Sequence, residues 1–263
     1  MIDFHNHILP NIDDGSRSLE MSLSMLDFAS KQGITDVVNT VHYQHPKVET
    51  KLINYNFIKI EIKKLQVELD KARIPLKIHI GSEVYFLPNL LKLTTDLLAT
   101  FGNGKYMLIE FPVYQLPKIQ RKILFDLKMA GVTPIIAHPE RYKDVQDNID
   151  IVTNWLESGC VIQVDAGSIL GQLGSGAKKI SEQIVKNGWC HIIGSDSHDN
   201  KKRNFNLLEA VNTVHNWIGN EVNTMVNENP KAVIEGKPIK IDIDYVPKSS
   251  NSRLIRLLNR LRN

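Results

Sequence analysis

His5 and His7 stand two residues apart at the end of a short apolar run that begins at Ile2. If that run is a strand, both imidazoles project to the same side, because strand side chains alternate with period 2. Asp14, in the following Asn11 Ile12 Asp13 Asp14 Gly15 stretch, adds a carboxylate. A His-x-His pair also arises by chance or as two surface histidines, so its meaning rests on matching ligands further along the chain. Those are His42, Glu83, Glu110, His138, Asp196 and His198. Imidazoles and carboxylates without a thiolate suit a divalent ion such as Mn, Fe or Zn and do not select among them. The set exceeds what one ion needs, which implies two or three ions with Glu83 as a bridge. Clustered cations lower the pKa of a bound water and neutralise the oxygens of a phosphoryl group. Arg141, three residues after His138, and Arg203, five after His198, are placed to grip a phosphate; the alternative for each is an ordinary surface ion pair, which has more weight for Arg203 than for Arg141.

Strands must deliver these residues to one place. Apolar, β-branched runs at 2–4, 34–40, 76–80, 106–111, 133–137, 160–164 and 190–193 read as strands. Between them, helices are expected from Ser18 to Gln32, with Leu19, Leu23, Leu26 and Phe28 as the buried stripe, and over 54–71, 88–100, 117–130, 150–158, 178–186, 205–218 and 221–226. Strand and helix in alternation predict an α/β fold: a parallel, distorted seven-stranded β/α barrel in a single domain, closed or nearly so. His5, His7, His42, Glu83, Glu110, His138, Asp196 and His198 all fall at the carboxyl ends of predicted strands, the face on which such barrels carry their active sites. His45, His79, His191 and His215 are set aside as structural or surface residues.

Composition narrows the field. With 263 residues, 42% hydrophobic and 23% charged, the chain can bury a large core. A net charge of +3 comes from scattered lysines, which argues against a nucleic-acid surface. The two cysteines, Cys160 and Cys190, lie in apolar runs without Cys-x-x-Cys spacing, which suits a reducing compartment. No export signal or membrane-spanning run stands out, so a cytoplasmic protein is expected. A cysteine-dependent phosphatase needs an arginine six positions after its cysteine, where this chain has Ala166 and Asp196. Asp242 Ile243 Asp244 imitates an aspartyl-phosphate motif but stands too near the end of the sequence for that fold, and reads as an edge strand or tail. No Gly-x-x-x-x-Gly-Lys loop for nucleotide phosphates occurs.

The His-x-His with its downstream Asp14, the lone His42, Glu83, the His138 Pro139 Glu140 Arg141 Tyr142 block and the closing Ser195 Asp196 Ser197 His198 resemble the polymerase-and-histidinol-phosphatase (PHP) superfamily. Within it, 4–15, Gly81 Ser82 Glu83, 138–142 and 194–198 are similar to the bacterial protein-tyrosine phosphatases of capsule and exopolysaccharide operons. Where that family usually has Pro before the second-strand histidine and His or Arg after it, this chain has Val41 and Tyr43. The resemblance covers residues 1 to 237 and implies a metal-dependent phosphoric monoester hydrolase with three divalent ions, manganese first among them. By position, His5, His7, Glu83 and Asp196 would hold one ion, Glu83, Glu110 and His138 a second, and Asp14, His42 and His198 a third. Arg141 and Arg203 would bind phosphate, with His138 also counted in the catalytic set. The implied substrate is phosphotyrosine on the C-terminal tail of a bacterial tyrosine autokinase, hydrolysed by metal-activated hydroxide. Rival readings are a small-molecule phosphomonoesterase such as histidinol phosphatase, and a non-catalytic kinase-binding regulator. Residues 238–263 form a separate extension whose 253–262 segment is basic and amphipathic at helical spacing. It could lie on an anionic membrane surface, pair with another subunit in a homo-oligomer, or pack on its own barrel.

Overall fold

The computed structural model describes residues 1–46, 48 and 53–241. The 242–246 motif and the amphipathic 253–262 segment lie outside the described residues. Seven strands follow one another around a single parallel sheet: β1 (Ile2–Asn6), β2 (Asp36–Tyr43), β3 (Lys77–Tyr85), β4 (Tyr106–Glu110), β5 (Thr133–Ile136), β6 (Val161–Asp165) and β7 (Ile192–Gly194). Order in space equals order in sequence, as expected of right-handed β/α crossovers. Helices cover the outside, so these strands are buried on both faces and read as near-continuous apolar runs. The seam between β7 and β1 is closed at its upper end. Asp196 N–H donates to the His5 carbonyl at 2.7 Å and His7 N–H to the Ser197 carbonyl at 2.8 Å. The buried Asp3 carboxylate takes the Ser195 N–H at 3.1 Å, tying the same two strands.

Two apolar bodies hold the barrel. The larger lies between the strands and the helical shell, and includes Met25, Leu26, Val37, Leu65, Ile109 and Trp155. The smaller includes alternate strand residues, Ile2 and Phe4, Tyr106 and Leu108, Ile135, Val161 and Ile192, together with Phe101. This second body plugs the lower barrel. Along the same alternation above it come Glu83, Glu110, Gln163 and Asp165.

Most helices fall where periodicity places them. α1 (Leu19–Lys31) starts at Ser18, whose hydroxyl accepts from Met21 N–H at 3.2 Å, and α2 (Tyr55–Ala72) starts at Asn54. The remaining helices are α3 (Gln120–Met129), α4 (Lys143–Asp147), α5 (Asp150–Glu157), α6 (Ala166–Leu170), α7 (Ser175–Lys186), α8 (Leu207–Ile218) and α9 (Asn229–Ile234). The expected stripe on α1 holds at Leu26, and Leu19 and Leu23 pack partly buried against the core, but Phe28 is corrected: it is 45% exposed, and Ser22, Met25 and Ala29 are buried with Leu26. Small Ser22 and Ala29 let the helix approach the barrel, and Ser22 Oγ donates to the Ile8 carbonyl at 2.6 Å. Neither is a residue that hydropathy flags.

The expected helix over 88–100 is also absent; the described chain has one 3-10 turn, Leu90–Leu93, followed by irregular turns. Asp96 explains the break. Its Oδ1 accepts from Leu98 N–H at 2.8 Å and Ala99 N–H at 3.2 Å, while Oδ2 takes the Tyr43 hydroxyl at 2.8 Å. A carboxylate that satisfies the local backbone in this way competes with helix formation. The segment expected as a helix over 221–226 is helical, running from a 3-10 turn at Gly219–Glu221 through a π-helix at Thr224–Glu228 into α9. No helix among the described residues is long and apolar enough to cross a membrane.

Candidate metal centre

A register shift in β1 between Asp3 and Asn6 sets the first ligands. Ile2 and Phe4 belong to the interior plug, yet His5 and His7 also reach the barrel axis, contacting Glu83 and Asp196 from the opposite parity. An irregularity of this kind re-aims a strand's side chains by one position. His42 arrives from within β2, Glu83 from within β3 and Glu110 as the last residue of β4. His138 and Asp196 follow β5 and β7 with left-handed backbones, φ 31° and 48°. Non-glycine residues there are uncommon, and such strain, of order 1–3 kcal/mol each, gathers where geometry serves chemistry. Two close approaches demand glycine: a Cβ on Gly194 would stand 2.5 Å from the His5 Cβ, and one on Gly15 2.4 Å from the His7 Cβ.

The candidate ligand atoms converge. Glu83 Oε2 lies 3.2 Å from His5 Nε2, 3.5 Å from His7 Nε2 and 3.2 Å from His42 Nδ1, while its Oε1 meets His138 Nε2 at 2.9 Å. Asp196 Oδ1 stands 3.4 Å from His5 Nε2 and 3.3 Å from His7 Nε2. Asp14 Oδ1 is 3.3 Å from both His42 Nε2 and His198 Nε2, and Glu110 Oε1 is 3.9 Å from His138 Nε2. Four overlapping groups have ligand atoms within 4.8 Å of one another: His7, Asp14, His42 and His198; His5, His7 and Asp196; His5, Glu83 and His138; His42, Glu83 and Glu110. Glu83 belongs to two of them. All nine candidates named from the sequence therefore meet in one place.

Neighbouring residues fix the imidazoles. His5 Nδ1–H donates to Gln163 Oε1 at 3.1 Å, His7 Nδ1–H to Asp13 Oδ2 at 2.8 Å, and His198 Nδ1–H to the Asp196 carbonyl at 2.8 Å. Each bond sets the tautomer that leaves Nε2 bare and turned inward. Asp13 Oδ2 also takes the His42 backbone N–H at 3.0 Å, and Gln163 Oε1 that of His138 at 3.3 Å. Asp13 and Gln163 were not singled out from the sequence. The doubled acid Asp13 Asp14 carries a signal, whereas Gln163 shows itself only by lying two positions from Asp165 on β6.

The electrostatics fit cations. His5 Nε2, His7 Nε2, His42 Nδ1 and Glu110 Oε2 are buried with no hydrogen-bond partner, and desolvated polar atoms in that state are costly unless something binds them. Burial works against protonating His5, but the Glu83 and Asp196 carboxylates outweigh it and lift the imidazole to about 9. Burial and then the Glu83 charge push the Glu110 carboxyl up to about 8. Burial and then the Arg141 charge push His138 down to about 4. Acids and imidazoles so crowded serve as each other's counter-ions, a place that divalent ions suit.

Both arginines reach the cluster. Arg141 Nη1 donates to Asp196 Oδ2 at 2.6 Å and Arg203 Nη2 to the same oxygen at 2.7 Å. One carboxylate thus faces the imidazoles with Oδ1 and two guanidinium groups with Oδ2. They border a pocket of about 370 Å³, whose lining includes Asp14, Glu110, His198 and Tyr114. His45 also lines it, its ring 4.7 Å from that of His42 and its Nε2 3.8 Å from Glu110 Oε2. His45, set aside from the sequence, thus stands at the edge of the site but in none of the four ligand groups. His79 pairs with Asp36 at 2.7 Å, and the buried His191 Nδ1 accepts from the Ile162 N–H at 3.1 Å.

Comparison with known proteins adds the family. The family described as "Capsular polysaccharide synthesis, CpsB/CapC" matches residues 1–235. This chain belongs to the CpsB/CapC family. It is 31% identical over 240 residues to the tyrosine-protein phosphatase YwqE of Bacillus subtilis, covering 91% of this chain and 93% of that one. The tyrosine-protein phosphatase CpsB of Streptococcus agalactiae serotype III is 30% identical over 244 residues, 89% of this chain and 98% of the relative. A crystal structure from work on YwqE and on CpsB of Streptococcus pneumoniae, described as unique metal-dependent tyrosine phosphatases, superposes with a TM-score of 0.84 at 30% identity, covering 91% and 96%. A histidinol phosphate phosphatase from Lactococcus lactis shares the fold, with a TM-score of 0.53 at 15% identity over 81% of this chain and 93% of that one. Membership of CpsB/CapC and a near-closed seven-stranded barrel agree with the resemblance drawn from the motifs.

Proposed function

We propose that this CpsB/CapC member is a metal-dependent protein-tyrosine phosphatase. The observation that carries the reading is the convergence of nine imidazole and carboxylate side chains beside two arginines that share Asp196 Oδ2. His5, His7, Asp14, His42, Glu83, Glu110, His138, Asp196 and His198 would hold the ions, three in number and manganese by preference. Bound divalent cations supply an activated water and neutralise phosphoryl oxygens. Arg141 and Arg203 present N–H groups to the same edge of the pocket, where they orient a phosphate and offset charge on its outer oxygens. Asp196 holds both guanidinium groups in register with the imidazoles. Gln163 and Asp13 keep His5 and His7 turned inward.

The substrate we propose is the phosphotyrosine-bearing C-terminal tail of a bacterial tyrosine kinase that controls capsular or exopolysaccharide synthesis, with the reaction run in the cytoplasm. Residues 1–237 would be the catalytic unit and 238–263 an extension. The names of the relatives and the pocket, wide enough for a side chain presented on a peptide, support this reading. The test is hydrolysis of a phosphotyrosyl peptide by manganese-loaded protein, with a chelated sample and His138→Ala beside it. Metal-dependent turnover that the variant loses is expected; no turnover by protein with bound metal overturns the tyrosine assignment in favour of a small phosphate ester.

A further inference from the structure

The wall of the pocket is divided by chemistry. Strands stand around the barrel in sequence order, so the segments that follow them do as well. Besides the candidate ligands, which come from both sides, the segments at the ends of β2, β3 and β4 contribute Pro46, Tyr85, Pro112, Val113 and Tyr114, whereas those after β5 and β7 contribute Arg141 and Arg203. A phosphate held by the guanidinium groups therefore has apolar and aromatic side chains within the same pocket, the nearest of them on the β4 segment beside the one that carries Arg141.

Tyr114 stands out on that wall. The residue is 86% exposed, and neighbouring Val113 is 37% exposed. A lone exposed aromatic on a surface is ordinary, but this one is carried on a short segment held along its length. Phe111 N–H donates to the Tyr142 hydroxyl at 2.9 Å, the Val113 carbonyl accepts from Lys143 N–H at 2.9 Å, and Leu116 N–H donates to Asp144 Oδ2 at 2.8 Å. Every anchor belongs to the stretch directly after His138 and Arg141. The backbone that carries the exposed ring is thus tied to the element that carries the phosphate-facing arginine, so little backbone entropy is left to lose when a ligand packs there.

Resting on the phosphatase reading above, we propose that Tyr114, with Val113 beside it, is the specificity-determining surface for the aryl group of a phosphotyrosyl side chain. A phenyl ring one ester oxygen away from the phosphate extends out of the metal corner and offers a face to stack; the two-atom stem of phosphoserine ends before it. Offset or edge-to-face packing of two aromatic rings is worth about three- to tenfold in affinity.

The test uses the full chain loaded with manganese and compares wild type, Tyr114→Ala and Tyr114→Phe. KM for a phosphotyrosyl peptide is expected to rise about three- to tenfold in Tyr114→Ala and to return close to the wild-type value in Tyr114→Phe. Competitive inhibition by inorganic phosphate, which engages the ions and arginines without a ring, is expected to move less than about twofold. An unchanged KM in Tyr114→Ala, or a phosphate inhibition constant that shifts in parallel with KM, overturns the role of Tyr114 while leaving the phosphatase reading in place. Failure of the wild type to turn over the peptide sinks both.

Discussion

The lower and upper halves of the barrel interior are built from the same strands and differ in what they hold. β4 runs from Tyr106 and Leu108 in the plug to Glu110 in the metal centre, and β6 from Val161 through Gln163 to Asp165. The lower half is dry and packed, so its residues answer to volume. The upper half crowds charges and imidazoles together, and four of the inward atoms, His5 Nε2, His7 Nε2, His42 Nδ1 and Glu110 Oε2, lack a hydrogen-bond partner, which suits residues that answer to an ion. One strand therefore carries two kinds of tolerance within three residues, and substitutions should separate them.

The widest separation is expected at Glu83, the one carboxylate shared by two ligand groups. Glu83→Gln keeps the shape and removes the charge; turnover of a phosphotyrosyl peptide should fall on the order of 10³-fold and bound metal should drop, as elemental analysis of the purified variant would show. Its unfolding free energy should change less than that of a plug variant. Leu108→Ala is the converse, a fully buried side chain in the plug. It should cost about 2–5 kcal/mol in denaturant unfolding while the folded fraction keeps its metal. Equal loss of metal in both variants would abolish the distinction between the halves.

Gln163→Leu examines the boundary. It removes the acceptor for His5 Nδ1–H and the His138 N–H, and metal affinity measured by competition with a chelator should weaken about 10- to 100-fold. A variant that binds as tightly as wild type would place Gln163 with the plug. The smallest effect is expected at the two thiols. Burial lifts the Cys160 thiol to about 12 and Cys190 higher still, so iodoacetamide at neutral pH should leave the native protein unmodified and its turnover unchanged. Inactivation by that reagent would bring a thiol into the chemistry.

Much of the upper half was legible because parallel strands write their ends plainly: a β-branched run, then a ligand residue, then a turn. Glu110 and Asp196 needed no more than that. Harder to see was the register shift in β1, since period 2 counted from Ile2 and Phe4 sends His5 outward; the pairing with β2 overrides the count. The left-handed turns at His138 and Asp196 carry no glycine to announce them. Asp96 could be read as helical or as a cap, and only its bond from Tyr43, 53 residues away, decides the matter. The position of His45 was not legible, because a histidine three residues past His42 has no strand to place it; its ring lies tilted against that of His42.

The seam between β1 and β7 makes the centre a late event in the life of the chain. His5 and His7 share their corner with Asp196, almost two hundred positions further on. Protein synthesis makes β1 long before β7, so throughout translation of the barrel the first two histidines wait without the carboxylate that completes their corner. A chain released early, short of Gly194, would carry β1 as an open sheet edge and half a binding corner. Only a chain translated through His198 can finish the ring and bring all nine candidate ligands together.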